Sequence, residues 1–183
     1  MFTLFVLLFH ASMVALISSQ RPNAYPEVIE LCQGTRDDYL DLSKIKISHL
    51  KNGTYGLNGN ITIKKDIPSS ATVSVRVLKK NSAGVWTSGL LMASPDINIC
   101  TYVKVDTMLY PVVARHSSLP EQCPFPKGNY VFNSSDWNAP TAFGQEGCFK
   151  VIFSLKNKRK PILCVSLIAK LVGANGSRLP RCV

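Results

Sequence analysis

The sequence runs to 183 residues, 46% of them hydrophobic, with six cysteines and a formal charge of +10. That length suits one domain with a proper core. A positive balance favours acidic partners. The chain shows no aromatic–basic RNA motif and carries an export leader, so nucleic acid is set aside and an anionic membrane surface is the expected contact.

The first element is the leader itself, MFTLFVLLFHASMVALISSQ. Phe2 to Ile17 is almost wholly apolar and uncharged, and the small residues Ser18 and Ser19 follow. The run is short for a membrane span and reads as a secretory signal peptide, residues 1–19, removed near Ser19. A single domain over 20–183 is then expected outside the cell or in the lysosomal lumen. All six cysteines (Cys32, Cys100, Cys123, Cys148, Cys164 and Cys182) fall within it. An even count in an exported chain reads as a disulfide framework whose pairing the count leaves open. No C-x-x-C is present and only His49 and His116 lie beyond the leader, so no metal or other cofactor is expected. The sequons at Asn52, Asn60, Asn133 and Asn175 agree with export and mark candidate glycosylated surface.

Alternation dominates the rest. Ile45 and Ile47 alternate with lysines, Ile61 and Ile63 repeat the pattern, and Val73, Val75 and Val77 stand two apart in ATVSVRVLKK. Each is the signature of a half-buried strand. Turn chemistry separates these runs at Asn52-Gly53, Asn58-Gly59, Pro68-Ser69-Ser70 and Asn81 to Gly84. The stretch VDTMLYPVVA, residues 105–114, is the one that suggests a helical period. EQCPFPKGNY, residues 121–130, is a rigid lead-in to a strand, because its prolines fix φ and donate no N–H to a sheet. The strongest signal is a hairpin, GCFKVIFSL and ILCVSLIAKLV flanking KNKRKP. Phe149, Val151, Phe153 and Leu155 share one face, and Leu163, Val165, Leu167, Ala169 and Leu171 share one face of the partner. The fold class is all-β, one sandwich or barrel without repeats or linkers.

Some apolar residues do not fit the alternation. Leu90, Leu91 and Met92, then Met108 to Val113, then Trp137 and Phe143 lie amid Pro, Asn and Ser and read as loops. They either cap the sandwich ends or line the mouth of a cavity. No G-x-S-x-G or H-E-x-x-H is present, and His49 and His116 read as surface histidines, so no enzyme is expected.

The segments GNITIKKDIPSSATVSVRVLKKNSAGVW (59–86), CTYVKVDTMLYP (100–111), CPFPKGNY (123–130) and CFKVIFSLKNKRKPILCVSLIAKL (148–171) stand in an order that resembles the ganglioside activator family. That family has the ML-type (lipid-recognition) fold and is related to secreted, in part chemosensory, arthropod proteins. The resemblance spans nearly all of residues 20–183. It implies a two-sheet β-sandwich or β-cup around an apolar lipid cavity, stabilised by disulfides. It also implies the pairs Cys32–Cys164 and Cys100–Cys123, with Cys148 and Cys182 left for each other. This chain departs from the activator there, carrying fewer cysteines and a C-terminal extension. The implied ligand is a lipid or glycolipid, handed to a glycosidase or a receptor. The candidate lipid-contacting residues are Trp86, Leu90, Leu91, Met92, Met108, Leu109, Tyr110, Trp137, Phe143 and Phe153. A chemosensory or pheromone-related carrier and a protein-binding β-sandwich module are the competing expectations.

Overall fold

The computed structural model describes residues 23–35, 38–49, 55–107, 110–133, 146–172 and 181–183. The expected signal peptide, the sequons at Asn52 and Asn175, and Met108, Leu109, Trp137 and Phe143 lie outside the described residues, as do the side chains of Leu90, Leu91 and Met92.

Two antiparallel sheets face one another. The larger is six-stranded. It orders β1 (Asn23–Leu31), β9 (Lys160–Val172), β8 (Gly147–Asn157), β4 (Thr72–Lys80) and β5 (Trp86–Ala93), with the short β6 (Ile97–Asn98) also on β4. The smaller has three strands, β2 (Leu40–His49), β3 (Tyr55–Ile63) and β7 (Gly128–Asn133). Two short helices, α1 (Ile99–Val105) and α2 (Tyr110–Arg115), join β6 to β7. The chain is a disulfide-stabilised all-β sandwich.

The register explains which side chains face inward. Phe149 pairs with Ala169, Val151 with Leu167, Phe153 with Val165 and Leu155 with Leu163, so the two expected apolar faces merge into one. Val73 and Val75 of β4 pair with Leu155 and Phe153 and extend that face. Elsewhere bulges reset the period of two. A register shift between Pro26 and Val28 lets both Ala24 and Ile29 face inward. One between Asp41 and Lys44 does the same for Leu40, Leu42 and Ile45.

Two expectations are corrected here. Asn58-Gly59 is not a turn, because β3 runs straight through it. Gly59 has φ +123°, and a Cβ there would come within 2.0 Å of the Lys44 carbonyl oxygen. Glycine at this position lets two backbones approach across the bulge. Residues 90–92 belong to β5 and not to a loop, since the ladder with β4 runs from Lys80–Trp86 to Arg76–Ala93.

The disulfides are Cys32–Cys164, Cys100–Cys123 and Cys148–Cys182, with Cα atoms 5.3, 5.4 and 5.5 Å apart, and no cysteine is free. These are the pairs the resemblance implied. The first ties the end of β1 to β9, and the third ties the C-terminal residues to the outer face of the large sheet.

Candidate binding cavity

Between the sheets lies a cavity of about 280 Å³. The large sheet supplies the faces of β8 and β9 described above, with Ala24, Ile29 and Val73. Leu40, Leu42, Leu57, Ile61, Ile63 and Phe132 come from the small sheet. The remaining wall is the connection from β6 to β7 with its neighbour Ile67, contributing Ile99, Tyr102, Tyr110, Val112, Val113, Leu119 and Phe125. Among the described lining residues only the two tyrosines carry a polar side-chain atom.

That connection is held locally by polar contacts. Asn98 caps α1, its side-chain oxygen accepting from the N–H of Cys100 at 2.9 Å and of Thr101 at 3.2 Å. This is the preferred residue type at a helix start, and it turns Ile99 and Val103 into the core. At the other end the Asp106 carboxylate accepts from the Tyr110 N–H at 2.6 Å and from the Tyr102 hydroxyl, joining the two helices. The Tyr110 hydroxyl donates to the Pro120 carbonyl. Both phenols are therefore spoken for. Burial, followed by the nearby Asp106 carboxylate and its hydrogen bond, pushes the Tyr102 phenol well above its ordinary range. Burial first, then the charges of Glu121 and Tyr130, holds Tyr110 at about 12.

The stiff CPFP corner anchors the same wall. Its Cys123–Pro124 peptide bond is cis, and Phe125 is buried between the two prolines. The Ile67 N–H donates to the Phe125 carbonyl at 2.9 Å, and Cys123 is bonded to Cys100 at the start of α1. The corner thus ties the two ends of the connection to each other and to Ile67 in the segment between β3 and β4. By contrast α2 buries no residue fully, although Tyr110, Val112 and Val113 line the cavity. It lies over the cavity, with Tyr110 and Val113 half-buried against the edge of the core.

Of the candidate contacts, Tyr110 and Phe153 line the cavity. Trp86 does not, and that expectation is corrected. It pairs with Lys80 on the outer face of the large sheet and, like Val28, packs against the cluster of Cys148, Ile168 and Cys182. The Lys80 ammonium lies 5.6 Å from its ring centroid. The same ammonium donates to the Cys182 carbonyl at 2.7 Å, and the Cys182 N–H donates to the Glu27 carboxylate at 2.8 Å. Among the lining residues of this wall that were not candidates are Ile67, Ile99, Tyr102, Val112, Val113, Leu119 and Phe125. Asn98 before an apolar stretch was the available sign of α1.

The described sequons Asn60 and Asn133 lie exposed on the outer face of the small sheet, opposite Val131 and Asn58. Sugars there would leave the cavity clear. At the end of the large sheet a polar groove runs between Ser70, Thr72, Asp96 and the β8–β9 turn. Lys156 is paired there with Asp96 at 2.8 Å, and its hydrogen bond holds the Asp96 carboxyl below the usual range. Lys158 and Arg159 form the turn itself with φ +48° and +65°.

Residues 73–151 match a family described as Protein of unknown function (DUF1091). The match covers less than half of the chain, running from β4 through α1, α2 and the CPFP corner into β8. It therefore takes in the whole connection that walls the cavity. No curated protein matches the chain. Among the described residues no three His, Cys, Asp or Glu side chains gather where they could hold a metal ion.

Proposed function

We infer that the protein is a secreted or lysosomal lipid-binding protein that holds the apolar part of a lipid or glycolipid between its sheets. It then presents or transfers that lipid to an enzyme such as a glycosidase, or to a receptor. The observation that carries the reading is the cavity of about 280 Å³ with an almost wholly apolar lining. A sandwich that only needed to be stable would fill such a space, because interiors reach close packing and each void forfeits dispersion contacts. A disulfide within the wall and a cover helix without fully buried residues suit a container. The ML-type resemblance points the same way, and the family match neither names a ligand nor opposes one. No catalytic step is assigned to the chain.

The test is native mass spectrometry of the protein secreted from eukaryotic cells, followed by solvent extraction of what travels with it. A lipid released in near-stoichiometric amount is the expected result. A ligand-free protein that also fails to take lipid from vesicles would overturn the reading and leave the protein-binding sandwich in its place.

A further inference from the structure

We propose that Lys79 receives the anionic group of the bound lipid at one end of the cavity. The ligand class is then a lipid or glycolipid with a carboxylate or a phosphate next to its hydrocarbon. This rests on the lipid-holding reading and adds the charge of the ligand to it. Val73, Val75 and Val77 of β4 are buried and face between the sheets, and alternation puts Lys79 on the same face. The register agrees, since Lys79 pairs with Phe149 as Val75 does with Phe153 and Val73 with Leu155. Along the inward rows of β4, β8 and β9, Val73 to Lys79, Phe149 to Leu155 and Leu163 to Leu171, Lys79 is the one charged residue.

That charge stands where the apolar wall ends. Phe149 lines the cavity, begins the inward row of β8 and is 2% exposed. The Lys79 ammonium lies 5.7 Å from the centroid of its ring. Gly147, with φ +138°, leaves room for the lysine stem, because a Cβ there would come within 3.2 Å of the Lys79 ε-carbon. Lys79 is half-buried, with an aromatic ring behind its ammonium. A ring in that place keeps water from one side of the cation, and attraction for an anion grows as the local dielectric falls. The rotatable N–H donors of an ammonium suit carboxylate and phosphate oxygens alike. Lys80 next to it faces the other way, over Trp86 and onto the Cys182 carbonyl. The phenols within the wall already donate to Asp106 and Pro120, so an anion gains no donor from them.

The experiment is displacement of 1-aminoanthracene from the disulfide-intact protein at neutral pH by ligands that share one hydrocarbon chain. These are myristic acid, myristoyl lysophosphatidic acid and uncharged monomyristoylglycerol. Wild type should bind the two anions about tenfold more tightly than the neutral ligand. In Lys79→Met, which keeps the aliphatic stem, all of them should bind alike, the neutral ligand within about twofold of wild type. A preference for one anion alone supports the site and tells carboxylate from phosphate. No preference in wild type, or one that persists in folded Lys79→Met, overturns the assignment while the lipid-holding reading stands. Failure of every ligand to displace the probe overturns both. Should Lys79→Met not fold, Lys79→Gln takes its place in the same series.

Discussion

Tyr110 meets Phe125 edge to face, with ring centroids 5.8 Å apart and planes at 77°. The pair joins the cover helix to the CPFP corner, so two parts of the cavity wall share one contact. Tyr110→Phe keeps the ring contact and removes only the hydroxyl that donates to Pro120. It should cost about 1 kcal/mol. Phe125→Ala removes a buried ring and leaves a void, and should cost about 3–5 kcal/mol. Urea unfolding of both variants measures the difference, and equal losses would mean that Phe125 is not the anchor.

The two raised phenols make the protein sensitive to alkali. An ordinary tyrosine ionises near 10.0, whereas Tyr110 holds its proton in the fold to about 12 and Tyr102 is raised as well. Between those values the folded state binds more protons than the unfolded one, so stability is fully present below pH 10 and falls as pH rises towards the folded values. Urea midpoints taken at about pH 9 and about pH 11 should show this loss. The Tyr102→Phe/Tyr110→Phe double variant should show a shallower one. An identical decline in the variant would assign the sensitivity to other groups.

The β8–β9 turn places two cations where the backbone favours Asn-Gly. Lys158 and Arg159 both have positive φ, which costs a side-chain-bearing residue about 1–2 kcal/mol. Strain kept at a basic tip suggests a use for the charge. The Lys158→Asn/Arg159→Gly variant should therefore be more stable by about 1 kcal/mol or more. It should also bind anionic vesicles roughly tenfold or more weakly at low salt, since each cation near such a surface is worth about 1 kcal/mol. High salt should erase the difference. Unchanged vesicle binding at low salt would leave the run as a solvated turn.

Removing the last disulfide should loosen the outer face without emptying the cavity. Cys148 and Cys182 stand 34 residues apart, worth about 4 kcal/mol in the chain-entropy account. Cys148→Ser/Cys182→Ser also frees the tail from Lys80 and Glu27, exposing Trp86. In a Trp137→Phe background, where Trp86 is the single indole, its emission should shift to the red while fatty-acid displacement stays within about twofold of wild type. Loss of displacement in a folded variant would place the tail at the cavity after all.

The sequence by itself determined the class of the molecule and the inward face of its longest hairpin. Side chains on a strand alternate strictly, and Phe149 to Leu155 and Leu163 to Leu171 alternate without interruption. Turn residues placed Pro68 to Ala71 and Asn81 to Gly84 correctly, because their backbone demands are local. What only the tertiary structure decided is whatever depends on a partner distant in the chain. Gly59 sits in a strand because Lys44 approaches it, and Trp86 faces outward because Lys80 does. The cover helices form because Asn98 and Asp106 satisfy their ends and because Cys100 is bonded to Cys123. The cavity is the extreme case, since an unfilled volume belongs to no residue. It exists only where two sheets, a bolted corner and a short helix leave hydrocarbon facing hydrocarbon.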